Sequence, residues 1–393
     1  MPVSSKGFLF SLLLLFTKFG FLKKRIIVSV TNDLTSDKRV DRVCCTLVKM
    51  GFDVLLVGRA RNESLPLIKR DYRTKRMSLL FCKGAKFYAE YNIRLFFFLL
   101  FHKAHLLVSN DLDTLPAGYM ASRLKKTGLV HDCHEYFRGV PELNGRSFPS
   151  RVWKRIEDRI FPKLKAVYAV NDSIARIYHE EYGNEITVIR NVPFRTNKIV
   201  AQEHSLLNVP KDTKILLYQG SVNIDRGLEE AIAAMKFVKT KAVLVIIGTG
   251  DVFSNLKQLA VSQGVSEKII FTGEIPFQDL SKYTVQADLG LSIEKDVSLN
   301  YHYCLPNKFL DYIQARVPVL VSPLPEMQAI VDKYKIGETI DNHDPGYLAA
   351  KFDSMLTNEK QLTTYRANLE LAAAELCWEN EEPKLMNIFN PYV

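Results

Sequence analysis

Short runs of apolar, β-branched residues alternate along this chain with stretches whose apolar positions recur every three or four residues. Residues 25–30 are such a run. Val40, Val43, Cys44, Leu47 and Val48 then follow at helical spacing, with Ser36 placed to cap the helix and Gly51 to close it. Further strands are predicted at 53–58, 105–109, 128–132, 166–171 and 186–190. The alternation restarts with strands at 214–219, 242–247, 268–271, 289–293 and 317–322, separated by helices such as 227–238, 252–263 and 306–314. Strands alternating with helices of ten to fifteen residues predict parallel sheets covered on both faces. Residues 196–213 are polar and without period, so the pattern describes two Rossmann-like sheets in tandem. Ligands of such sheets bind beyond the carboxyl ends of the strands, which makes a cleft between two facing sheets the expected active site.

The resulting domain plan has an apolar extension (1–22), a first domain (23–195), a linker (196–213), a second domain (214–365) and a helical tail (366–393) expected to pack back on the first. The chain has 393 residues, enough for two domains, and 47% apolar with 24% charged residues is a globular composition. Residues 7–22 are almost entirely apolar but short for a spanning helix, and no small-residue cleavage site follows. They read as an interfacial anchor, a membrane hairpin, or residues upstream of the true start near Lys23. Residues 95–101 (LFFFLLF) are either a second lipid contact or a buried core helix.

Charge sharpens the division. Residues 1–200 hold 35 Lys and Arg against 18 Asp and Glu, whereas the remainder holds 18 against 25. A basic first half suits an anionic membrane surface or a polyphosphate, and the absence of an RNA-recognition signature, zinc finger or arginine-rich tail argues against nucleic acid. The six cysteines form no C-x-x-C and no metal-ligand spacing, which reads as a reduced cytoplasmic protein without structural zinc.

The richest chemistry lies in residues 306–322. They predict a helix with Pro306 at its first position, followed by a buried strand. First-turn amides around Pro306, Asn307 and Lys308 lack intrahelical partners and favour an anion; one turn on, the Asp311 carboxylate can accept hydrogen bonds from a diol. Residues 219–227 (QGSVNIDRG) leave the first strand of the second domain, with Gly220 allowing a tight exit and Arg226 near the next helix start. This suits a pyrophosphate, or is an ordinary turn with a solvated arginine. Gly248 and Gly250 form a second close-approach turn.

In the first domain, residues 131–137 (HDCHEYF) place His134, Asp132 and Glu135 at a strand end, able to bind a hydroxyl or phosphate, or else serving structure, with Asp132 as a cap and Glu135 paired to a base. His-x-x-His without a third ligand is a poor metal site. Asp111, at another strand exit, faces the cleft or caps a helix. The first strand–helix turn has no glycine, against a nicotinamide or flavin cofactor. Neither G-x-S-x-G nor a Walker loop occurs, leaving hydrolase and NTPase readings unsupported.

Taken together, TNDLTSDKRVDR, VSNDLDTLPA, HDCHEYFRGVPEL, RNVP, YQGSVNIDRGLEEAI, IIGTGD and LNYHYCLPNKFLDYIQARVPVLVS resemble the retaining family 4 glycosyltransferases of GT-B fold, close to a bacterial subgroup. The resemblance runs from about Lys24 to near the C-terminus. It implies a nucleotide-sugar in the second domain and a glycan or lipid-linked acceptor in the first. It assigns Arg226 to the donor diphosphate with Lys308 as helper, Asp311 to the ribose, and His134 to the donor sugar near the reacting carbon. No metal or cofactor is implied. The family's Glu-x7-Glu pair is broken: Tyr303 stands at its first position and Asp311 at its second. Asn300, Tyr301 and Glu294 are the nearby candidates to replace the missing Glu. The implied activity is sugar transfer with retained configuration, with envelope polysaccharide or lipopolysaccharide assembly, peripheral on the inner membrane face, as its setting. A sugar-nucleotide epimerase and an idle membrane-associated binding protein are the alternatives.

Overall fold

A computed structural model describes residues 23–35, 37–61, 64, 66–140, 143, 145–196 and 206–393. The apolar N-terminal stretch and half of the expected linker, residues 197–205, therefore lie outside the described residues. In chain order, the first half runs β1 (Arg25–Ser29), α1 (Lys38–Lys49), β2 (Asp53–Arg59), β3 (Arg73–Met77), α2 (Gly84–Phe101), β4 (Leu106–Asn110), α3 (Asp111–Lys125), β5 (Gly128–Cys133), α4 (Ser147–Ile160), β6 (Ala166–Ala169), α5 (Asp172–Tyr182) and β7 (Ile186–Val188). The second runs β8 (Lys214–Gln219), α6 (Leu228–Ala234), β9 (Ala242–Ile247), α7 (Phe253–Ser262), β10 (Ile269–Gly273), α8 (Phe277–Thr284), β11 (Leu289–Ser292), α9 (Leu299–His302), α10 (Asn307–Gln314), β12 (Val319–Val321), α11 (Pro325–Tyr334), β13 (Gly337–Thr339), α12 (Pro345–Thr357), α13 (Glu359–Glu375) and α14 (Trp378–Phe389).

These strands build a seven-stranded sheet of order β3-β2-β1-β4-β5-β6-β7 and a six-stranded sheet of order β10-β9-β8-β11-β12-β13. Both are doubly wound, reversing strand order once, beside the first strand. Parallel pairing is in register through the buried runs, as in Ile27 opposite Leu55 and Leu217 opposite Val245. Helices on both faces explain why these strands read as unbroken apolar runs. The six-stranded sheet separates two cores, one around Leu216, Leu228, Leu244 and Phe352, the other around Ile215, Leu217, Phe309 and Val319.

By contact, the chain divides into two compact units. Among the described residues, one comprises those up to Asp132 with Lys163–Ala166 and Leu385–Val393, and the other those of Cys133–Pro162 and Val167–Lys384. Within the first, Lys24 Nζ donates to the carbonyl of Val393 at 2.7 Å.

Several local details differ from the sequence reading. The cap of α1 is Asp37, not Ser36: its carboxylate accepts from Val40 N at 3.0 Å. Edge strands β3 and β13 are additions, each short and too polar to register as an apolar run. Residues 95–101 form the end of α2, where Leu95 and Leu99 are buried but Phe97 and Phe101 are exposed. The segment is thus a core helix on one side and carries exposed phenylalanines on the other.

Asp132 is fully buried. Its carboxylate takes Arg39 Nε at 2.9 Å and an Arg39 terminal nitrogen at 2.7 Å, with neither side chain exposed. It therefore offers no free carboxylate to an acceptor, correcting its place among the acceptor-side candidates: it fastens α1 to the end of β5. Beside it, His131 is buried against Ser109 O at 3.0 Å, and burial pushes its pKa down to about 4, so it stays neutral. Asp132→Ala leaves the Arg39 charge buried alone and is expected to destabilise the fold by about 3–5 kcal/mol in urea denaturation. A loss below ~1 kcal/mol would show that the pair is not held dry.

Candidate active site

In the six-stranded sheet the order reverses between β8 and β11, so the switch point lies where Gln219 and Ser292 end their strands. Glu294 follows Ser292 by two residues and is completely buried. Ser292 Oγ donates to one of its oxygens at 2.9 Å, and Lys308 Nζ donates to the other. An Arg226 terminal nitrogen stands 3.9 Å from that same second oxygen. One carboxylate thus sits between two cations.

Burial alone would raise the Glu294 carboxyl, but the Lys308 ammonium and its hydrogen bond, with Arg226 behind them, hold it below the ordinary carboxylate value. Burial likewise opposes the Lys308 charge, yet Glu294 keeps its pKa above the usual lysine value. The shifts agree in direction, and both describe a charged pair. Lys308 also rests on the Tyr218 ring, 3.9 Å from its centroid, and the Arg226 guanidinium lies over Tyr301 at 4.7 Å. Arg226 Nε is buried and has no hydrogen-bond partner among the described residues. A buried guanidinium donor left open beside a second cation is suited to an anion.

The backbone explains why these groups converge. Asp225 takes the left-handed conformation (φ 64°), and its carbonyl accepts from Lys295 N at 2.9 Å, tying the Arg226 loop to the β11 exit. Gly227 (φ 73°) closes that loop, where an added Cβ would lie 2.3 Å from Ile293 O. At the neighbouring turn, a Cβ on Gly248 would fall 1.9 Å from Gly220 O. Gly248 and, against Val222, Gly250 therefore serve close packing of two turns. Gly220 instead borders open space limited by the Lys308 stem, 4.0 Å away.

Pro306 is the cap of α10 rather than its first residue, since its ψ of 140° is extended. Phe309 N turns back to Pro306 O at 3.1 Å, and the helix starts with the amides of Asn307 and Lys308. Asn307 is exposed, its side-chain oxygen accepting from Asn191 Nδ2 at 2.8 Å. Asp311, half-buried one turn on, accepts from Gln219 Nε2 at 3.1 Å. Tyr303 is fixed through its carbonyl, which accepts from Asn171 at 2.6 Å. Asn300 donates to Glu135 at 3.0 Å, so the loop after β5 meets α9 one residue before Tyr301. His134 is half-buried in that loop. Asp111 opens α3 with a left-handed φ of 56°. Among the described residues no group of three or more His, Cys, Asp or Glu is arranged to hold a metal ion.

Comparison with known proteins places this geometry. The model described as Glycosyltransferase Family 4 matches residues 37–192, and the one described as Glycosyl transferases group 1 matches residues 201–372. The chain belongs to the family 4, group 1 glycosyltransferases. An uncharacterized glycosyltransferase of Methanocaldococcus jannaschii, MJ1607, is 26% identical over 156 residues, which is 39% of this chain and 38% of that protein's length. Sucrose-phosphate synthase from Thermosynechococcus elongatus superposes with a TM-score of 0.78 at 18% identity, covering 94% of this chain and 99% of the synthase. Anabaena HepE, in complex with UDP and glucose, gives a TM-score of 0.71 at 12% identity over 94% of this chain and all of HepE. Such distant likeness shows the shared GT-B fold.

In this glycosyltransferase the structure brings Arg226, Lys308, Gly220, Asp311 and the α10 amides to one switch point. Of the three candidates for the missing first Glu, each is already engaged: Glu294 with Lys308, Tyr301 with Arg226, and Asn300 with Glu135. Sequence reasoning overlooked Tyr218, Asn171 and Asn191. Tyr218 has no motif, being one more residue of a buried strand. The two asparagines carried a faint signal, each lying within three residues of the end of a strand, β6 or β7.

Proposed function

We propose that this glycosyltransferase moves a sugar from a nucleoside diphosphate donor to a glycan or lipid-linked acceptor with retained anomeric configuration. The observation supporting it most directly is the Arg226–Lys308 pair, with its open guanidinium donor, at the carboxyl end of β8 and β11. Breaking the glycosyl bond leaves positive charge on the sugar and sends an electron pair to the diphosphate oxygen. Arg226 and Lys308, with the Asn307 and Lys308 amides, stabilise that oxygen as its charge grows. They are fixed before the reaction, by Glu294 and by two aromatic rings, so little reorganisation accompanies the step.

Asp311 takes the ribose hydroxyls, His134 approaches the donor sugar, and Glu135 lies on the acceptor side with Asn300. No protein nucleophile is assigned: the acceptor hydroxyl attacks from the face the diphosphate leaves, and its proton passes to the departing phosphate oxygen. The charge compensation falls to these cations and amides, without a metal, and we place the reaction at the inner face of a cytoplasmic membrane.

The test is a thermal-shift screen of the purified chain against UDP-, GDP- and ADP-sugars, followed by NMR of the product's anomeric proton with the stabilising donor. One nucleotide should raise the midpoint by several degrees, and the new linkage should keep the donor's configuration. A panel without any shift, or an inverted linkage, would overturn the proposal.

A further inference from the structure

The first compact unit carries a surface feature that the donor site does not use. Helix α2 buries Phe87, Tyr91, Leu95 and Leu99, while Ile93, Phe97 and Phe101, spaced four apart along the opposite face, are 57%, 49% and 78% exposed. Phe97 and Phe101 stack on one another with their rings 9° from parallel. A helix covered by solvent on that side would ordinarily be polar there. Beside its C-terminal end lies an open hollow of about 610 Å³, lined by Phe98 of α2, by His102 just past the helix, and by Lys69, Arg70, Arg73 and Lys75.

The charges facing the hollow are unevenly matched. Arg73 is held by Asp53 at 2.7 Å, and Arg70 by Tyr72 and, at 3.4 Å, by Asp41. His102 bonds to Phe98 O at 2.8 Å. Lys69 and Lys75 form no ion pair among the described residues, and no acidic side chain lines the hollow. Three exposed apolar side chains next to a cationic hollow, in the half of the chain that carries the excess positive charge, match the interfacial region of a bilayer with anionic headgroups. A nucleic acid backbone would use the lysines but leave the phenylalanines in water.

We propose that the exposed face of α2 and the hollow beside β3 form a membrane-docking surface, Phe97 and Phe101 entering the acyl boundary and Lys69 and Lys75 taking an anionic lipid phosphate. This rests on the membrane-face reading above and deepens it by naming the surface. It does not depend on the donor site, so binding is read without turnover.

The full chain is incubated with sucrose-loaded vesicles of phosphatidylcholine, with and without 30% phosphatidylglycerol, and the sedimented fraction is measured. Wild type should partition at least about tenfold more strongly onto the anionic vesicles, and raising salt to 0.5 M should weaken that preference. Phe97→Glu/Phe101→Glu should lose about tenfold or more of the binding, and Lys69→Ala/Lys75→Ala should lose mainly the preference for phosphatidylglycerol. Both variants should keep the wild-type thermal shift with the donor nucleotide, showing that they fold. Variants that bind like wild type would overturn the assignment, including the case in which residues 1–22 alone carry the binding. So would a wild-type chain that ignores both vesicle types.

Discussion

Arg226→Ala should lower kcat/KM for the nucleotide-sugar by at least about a hundredfold, because removing one fixed donor from a developing oxyanion costs roughly 10²–10³ in rate. On the proposed mechanism the guanidinium is also one of two cations that bind the diphosphate, so the thermal shift produced by the nucleotide should vanish. The side chain is 21% exposed and reaches Glu294 only at 3.9 Å, hence the ligand-free protein should melt within a few degrees of wild type. Arg226→Lys should recover part of the binding, since charge persists while the planar fork and the stacking on Tyr301 are lost. An Ala variant that still shifts with nucleotide would place the diphosphate elsewhere, and the proposed mechanism would fall with it.

Glu294→Gln should be felt first in stability. It removes the counter-charge of a buried Lys308, for which about 3–5 kcal/mol is the expected loss in denaturation at neutral pH. Glu294→Gln/Lys308→Met should recover much of it, because neither partner is then left charged alone. The pH dependence follows from the directions of the shifts. Glu294 is held below 4.5, so its contribution is present above that pH and lost as the pH falls through its folded value. Lys308 is held above 10.5, so its contribution is intact below that pH and lost as the pH rises through its folded value. Between the two, the pair itself should add no slope to the pH dependence of wild-type stability, whereas in the Gln variant the buried Lys308 has lost the charge that keeps it protonated and can release its proton closer to neutrality. A steep change near pH 7 in the stability difference between wild type and the Glu294→Gln/Lys308→Met variant would show that the pair is not ionised as described.

Much of the fold was legible because buried parallel strands announce themselves: Lys214–Gln219 and Ala242–Ile247 have the bounds their apolar runs suggested. Arg73–Met77 did not, since an edge strand of four polar residues and one methionine has no run to show, and only pairing with β2 makes it a strand. The site divided the same way. Arg226 and the first turn of the helix after Pro306 could be picked out because strand exits and helix starts are where anions bind, Asp311 because a carboxylate there suits a diol, and Lys308 only through the family resemblance. Asp132 looked identical to Glu135 in sequence, both being acids at the end of one strand. Burial separates them, and burial depends on Arg39, 93 residues away. The Glu294–Lys308 pairing was similarly out of reach, because it depends on the depth to which a lysine stem folds inward past Gly220.

Glu294 has a consequence for the end of the reaction cycle. Two cations facing a nucleoside diphosphate would grip the spent nucleotide as firmly as the transition state they serve. With the Glu294 carboxylate between them the clasp carries a single surplus charge, so on the proposed mechanism the by-product would stay incompletely neutralised and keep its attraction to water. Turnover depends on that departure as much as on bond cleavage.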